Sequence, residues 1–229
     1  MRKKSFFAPI ICLPLLACGG DDGGHHITTP DSHLGSGSGS GSGSAAPCTA
    51  TASYGAADFG SGSDQFAQTD GSGTTGSNAH TEVWGAFLNQ DTAPDEIQLE
   101  LYAANGGFGA DIVAGTYQIT GDDAQYKTCG ICVRIFTDID AQNNSVDDYF
   151  ASAGTVTLSS VSGANFAGTL ANIKFDHVTI ASDFTSTPVG DCTAMLTSGT
   201  MGTTLAVGSG SAQFNGPIHF TGHLANRHR

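Results

Sequence analysis

Four cysteines, Cys48, Cys129, Cys132 and Cys192, are the residues of this 229-residue chain whose types and spacing point most directly to chemistry. An even number in one segment predicts two disulfides and an oxidising compartment. Cys129-Gly130-Ile131-Cys132 has the spacing of redox dithiols, but those owe their reactive thiolate partly to a helix N-terminus. Here Ile131, Val133 and Ile135 alternate with Cys132 and Arg134, the period of a strand. Three extended residues span about 10 Å, beyond the roughly 7 Å across which a disulfide closes. Cys129 and Cys132 are therefore each expected to bond to Cys48 or Cys192, with the pairing left open. Their odd separation sends Cys129 toward the core with Ile131, Val133 and Ile135, and Cys132 toward the rim with Arg134. A Cys129–Cys132 bond would need a turn, and would reopen the redox reading.

Other polar groupings are weaker. Asp138, Asp140, Gln142 and Asn144 imitate the opening of a calcium loop, with oxygen ligands at alternate residues. Asn143 stands where the turn glycine belongs and Tyr149 where a bidentate glutamate belongs, so the expectation is at most a loose Ca²⁺ site on Asp138, Asp140 and Asn144. No other cofactor is expected. Gly71, Gly73 and Gly76 satisfy G-x-G-x-x-G, but no apolar strand leads in and no helix pattern follows, so they read as loop glycines. His25, His26 and His33 sit beside Asp21, Asp22 and Asp31 in a coil-forming segment and read as a solvated spacer rather than a metal trap. His219, His223 and His228 fall in a fraying tail. Spacing reveals no Ser-His-Asp set and no carboxylate pair, and no catalytic residue is assigned.

The remaining cysteines, Cys12 and Cys18, lie in the first twenty residues, MRKKSFFAPIICLPLLACGG. Arg2, Lys3 and Lys4 open it, Phe6 to Leu16 is an apolar run too short to span a bilayer, and Leu15-Leu16-Ala17-Cys18 closes it. This resembles the lipobox signal of a bacterial lipoprotein. The resemblance implies a signal peptide at 1–17, cleavage before Cys18 and acylation of that residue. Each buried methylene of an acyl chain adds about 0.8 kcal/mol, so several chains on Cys18 hold the protein to a membrane. Gly19 and Gly20 after the cysteine imply the outer membrane by the same resemblance.

Residues 18–47 read as a tether. Five Gly-Ser pairs from Gly35 to Ser44 offer nothing to bury, and such a coil reaches roughly 30 Å. The chain carries 8 Lys plus Arg against 21 Asp plus Glu, and loss of the three basic signal residues takes its formal charge from −13 to −16. A surface so acidic repels nucleic acid, which is set aside as a partner.

Residues 48–229 are expected to form one domain, long enough for one substantial core. Ile97, Leu99 and Leu101 alternate with Glu96, Gln98, Glu100 and Tyr102, as in a strand with one buried face. Similar runs occupy Thr81 to Leu88, Gly115 to Thr120, Gly130 to Asp138, Gly154 to Val161, Phe166 to Ile180 and Ser211 to Phe220, while Ser53 to Ala79 reads as loop. Ile173 and Phe175 share one parity and Val178 and Ile180 the other, which predicts a β-bulge near Asp176 and His177. His177 is expected to fill the kink. The fold class is thus all-β, an antiparallel sandwich or open barrel of about eight strands with little helix.

Leu99-Glu100-Leu101-Tyr102, Gly115-Thr116-Tyr117, Cys129-x-x-Cys132-Val133, Tyr149-Phe150 with Gly154-Thr155-Val156, and Thr185 to Val189 together resemble the uncharacterised β-rich lipoproteins of myxobacteria and their relatives. That likeness implies a fold and an address and no activity. The expected function is a noncatalytic envelope lipoprotein that binds or supports an envelope protein or glycan. The competing classes are an envelope hydrolase acting on glycan or peptide, and a weakly Ca²⁺-dependent adhesion module.

Overall fold

The structure is a computed structural model that describes residues 47–60, 65–69, 81–142, 144–162 and 165–207. The lipobox, Cys18, the Gly-Ser tether, Gly71 to Gly76 and the run Ser211 to Phe220 lie outside these residues. The described residues belong to one compact unit. They are all-β as expected, with nine strands and a single short 3-10 turn, Gly121–Ala124.

The strands are β1 Gly55–Ala57, β2 Gln65–Thr69, β3 Thr81–Phe87, β4 Glu96–Tyr102, β5 Gly115–Gln118, β6 Ile131–Phe136, β7 Asp148–Ser162, β8 Asn165–Ile180 and β9 Ser186–Val207. Hydrogen-bonded neighbours run β2, β3, β4, β6, β7, β8, β9 and return to β2, so the circuit closes as in a barrel. Closure leaves fewer unpaired strand edges to attract other chains. β1 shares an edge of β9 with β2, and β5 shares an edge of β7 with β6. The sheet is mixed, not wholly antiparallel, because β1 and β2 both run parallel to β9.

Period-two patterning fixes the inner face. Trp84, Ile97, Leu99, Leu101, Ile131, Val133, Ile135, Phe166, Phe175 and Leu196 all fall in one apolar cluster. A second, smaller cluster occupies the opposite face of the same strands and comprises Tyr102, Tyr126, Cys129, Cys132, Phe150 and Val178. β4 is consequently buried along its whole length, and the expectation of one buried face fails there. The loop bearing Tyr126 folds over that face, placing its hydroxyl 3.0 Å from Glu100 Oε2.

The second cluster also changes the meaning of the β8 phase shift. Phe175 faces the first core and Val178 the second, so alternation needs no extra residue to bury both. β8 keeps an unbroken register with β7 from Phe175 to Val178. The irregularity between Asp176 and Val178 is present, but its extra residues belong to β9: Asp176 pairs with Thr193 and Val178 with Pro188, leaving Val189 to Cys192 between them.

Candidate functional site

The cysteines pair as Cys48–Cys192 and Cys129–Cys132. All four are in disulfides as expected, but the expectation that Cys129 and Cys132 bond to distant partners is overturned. β6 begins only at Ile131, so Cys129 and Gly130 are not extended, and the two Cα atoms lie 5.5 Å apart. A turn supplies the approach that a strand forbids. Nor does Cys132 point to the rim, since both cysteines are fully buried in the second cluster.

That turn is held by Asp123. Its Oδ1 accepts the N–H of Gly130 at 2.8 Å and of Ile131 at 3.0 Å, and its Oδ2 accepts that of Gly107 at 2.9 Å. Cys129 N–H donates to Gln125 O and Tyr102 N–H to Gly130 O. Glycine is required here by close approach: a Cβ at Gly130 would overlap the Asn105 carbonyl, and one at Gly106 would overlap the Asp123 carboxylate.

Beside the disulfide lies a buried ionic network. Arg134 reaches Glu100 Oε1 at 3.3 Å through Nη1 and Asp148 Oδ1 at 3.2 Å through Nη2. Its guanidinium lies between the rings of Tyr126 and Phe136, 4.6 and 4.4 Å from their centroids, a cation–π arrangement. Tyr102 and Tyr126 both donate to Glu100 Oε2, at 2.6 and 3.0 Å. Burial pulls the guanidinium toward losing its proton, yet Tyr126, Glu100 and Asp148 together outweigh it and raise the pKa. Both Nη atoms of Arg134 are paired with carboxylates while its buried Nε has no hydrogen-bond partner among the described residues, and this arrangement orders a core.

Asp95 is a third buried carboxylate hub. It accepts from Tyr54 Oη at 2.7 Å, Asn89 Nδ2 at 3.2 Å and Asp138 N at 3.0 Å, joining three loops. Burial raises its pKa, and the hydrogen bonds from Tyr54 and Asp138 offset this only in part. The Tyr54 hydroxyl is raised too, first by burial and then by Asp95.

The calcium candidates are turned to internal work. Asp140 Oδ1 accepts the backbone N–H groups of Gln142 and Asn144, each at 2.8 Å, and Asn144 Nδ2 contacts both its carboxylate oxygens. Asp138 has φ +50° and gives its N–H to Asp95. Among the described residues no group of three His, Cys, Asp or Glu is placed to hold a metal ion. His177 stacks on Tyr149 and lies 3.2 Å through Nε2 from Asp147, whose other oxygen accepts from Thr49 Oγ1. It therefore fastens the start of the domain to β8, close to the expected kink.

A groove of about 600 Å³ opens where β1 and β2 part along β9. β1 covers Leu196 to Gly199 of β9 and β2 covers Leu205 to Val207, so the ladder on that edge is interrupted between them. Gln65 bridges the gap, its Oε1 accepting Gly202 N at 2.8 Å and Trp84 Nε1 at 3.0 Å. Phe59, Asp58, Ser198 and Thr200 complete the lining, and Phe59 packs so closely on Gly199 that a Cβ there would overlap its ring. Sequence reading missed this site because Ser53 to Ala79 looked like loop, and because β9 is rich in Thr, Gly and Ser. The readable signal was Ala194 and Leu196 at one parity and Met201 and Leu205 at the other.

No protein-family model, curated protein or solved structure matches the chain.

Proposed function

We propose that the chain is a lipid-anchored envelope lipoprotein, held at the outer membrane through Cys18, that presents a noncatalytic β-barrel module for binding an envelope glycan. The lipobox supports the anchor, and the pairing of all four domain cysteines suits an oxidising compartment. The observation that carries the binding role is the groove beside Phe59, with the Ser198 and Thr200 hydroxyls and the Asp58 carboxylate around an aromatic ring. Hydroxyl-rich linings pair with neutral polyols, and the chain's acidity disfavours anionic ligands.

Two measurements test the reading. The wild type should fractionate with membranes and Cys18→Ser should not; a wild type wholly in the soluble fraction removes the anchor. Gly202 offers a clean block of the groove, because a Cβ there meets nothing within 4 Å. Wild-type protein should be retained on isolated envelope polysaccharide, and Gly202→Trp should lose about tenfold in affinity, some 1.4 kcal/mol. Equal retention of both, or none of the wild type, rejects the groove as the site.

A further inference from the structure

We infer that Cys129–Cys132 is a reversible thiol–disulfide couple, exchanged with a partner dithiol, while Cys48–Cys192 is a permanent staple. The inference does not depend on the glycan reading. Its geometric basis is that the site is already built for both oxidation states. Cys129 Sγ lies 3.3 Å from Tyr126 O and Cys132 Sγ 3.4 Å from Cys129 O, so each sulfur, once reduced, has a carbonyl to receive its S–H. Among the described residues neither sulfur of Cys48–Cys192 has such an acceptor.

The backbone of the turn is also fixed without the bond. Asp123 holds the N–H groups of Gly130 and Ile131, and Gln125 O and Tyr102 N–H hold the rest. The disulfide closes a ring of only four residues, so opening it releases far less chain entropy than opening the long Cys48–Cys192 ring would, and the reduced chain keeps its fold at a lower stability. Oxidised and reduced forms thus share one fold, the property that a cycling couple requires.

The cover of the site is equally specific. Tyr126, Ile180 and Phe184 pack against the cluster that holds both sulfurs, and Phe184 takes φ +66° in the β8–β9 turn. An exposed ion pair, Lys127 to Asp183 at 3.0 Å, joins that turn to the loop carrying the cysteines. Exchange begins when this turn lifts. A partner thiolate attacks one sulfur, the Cys129–Cys132 bond breaks, and the released thiolate takes a proton. The partner's second thiol then displaces the mixed disulfide, so the partner leaves oxidised and this chain gains two electrons and two protons. Apolar burial disfavours a free thiolate on either sulfur, so the bonded pair is the resting form and exchange waits on the uncovering of the turn.

The test is graded reduction of the full chain with dithiothreitol, followed by alkylation, peptide mass mapping and far-ultraviolet circular dichroism on the same samples. Cys129 and Cys132 should label together at a dithiol excess about tenfold below that needed for Cys48 and Cys192, the worth of two weak hydrogen bonds. The spectrum should be unchanged, and removing the reductant should restore the same pair. Labelling of all four together, the reverse order, labelling only as the spectrum collapses, or no labelling of the folded chain would each overturn the inference. A Cys129→Ser, Cys132→Ser double variant guards against ambiguity. It should fold with the wild-type spectrum, and failure to fold would make the bond structural.

Discussion

Arg134 keeps its charge while only 2% exposed, and its carboxylate partners are what make that tolerable. Removing one member of such a buried pair strands the other's charge, so Arg134→Met should destabilise by about 3–5 kcal/mol in urea denaturation. The double change with Glu100→Gln should recover part of that loss. Parity in the sequence sets Arg134 on the strand face opposite Val133 and Ile135, correctly away from the first core. Nothing local announced that Glu100, 34 residues earlier, would meet it. Asp95 supports a prediction in pH. Its folded pKa is raised above its unfolded value of about 3.9, so its protonated form favours folding, and its contribution falls as pH rises through the unfolded and then the folded value. Melting curves of the wild type and Asp95→Asn should show the wild type losing ground to the variant as pH rises from 3 toward 6. Asp183 acts with opposite sign. The Lys127 hydrogen bond lowers it to about 2, so whatever it contributes is present above about pH 4 and lost as pH falls through about 2.

Among the elements, β3, β4, β6 and β8 were legible because burial of Trp84, Ala86, Ile97, Leu99, Leu101, Ile131, Val133, Ile135, Ile173 and Phe175 in one core imposes period two. β9 was not legible, although it is the longest strand. Its inward residues change parity where its register against β1 shifts, between Leu196 and Ser198. Small residues such as Gly199 and Gly202 also leave its pattern faint. The same level of the sheet is irregular in the neighbouring strands: Asn172 of β8 has φ +52° and Gly154 of β7 has φ +134°. A Cβ at Gly154 would lie 2.6 Å from Ile173 Cδ1 and 2.8 Å from its Cα. Backbone at such a φ costs an L-residue about 1–3 kcal/mol before any clash. Gly154→Ala should therefore lower stability by at least about 2 kcal/mol, measurable as a fall in the urea midpoint.

At the scale of the molecule, the all-β class and two-disulfide content followed from composition and cysteine count, whereas connectivity depended on one turn that local period concealed. Chain-entropy arguments separate the two bonds sharply. Closing the Cys48–Cys192 ring, with a sequence separation of 144, contributes about 5 kcal/mol, and the four-residue ring about 2. A Cys48→Ser, Cys192→Ser variant should consequently melt well below a Cys129→Ser, Cys132→Ser variant in calorimetry. The long ring has a mechanical meaning as well. Cys48 precedes every described strand and Cys192 lies inside β9, so a pull on the chain ahead of Cys48 passes through sulfur into β9. β1, held to β9 by three residue pairs, is bypassed by that load. Stretched between its ends, the oxidised chain keeps the 144 residue steps from Cys48 to Cys192 out of its extension, a length of roughly 500 Å that only a reductant releases. Under tension the oxidised domain therefore yields little length, its slack locked away by one covalent bond.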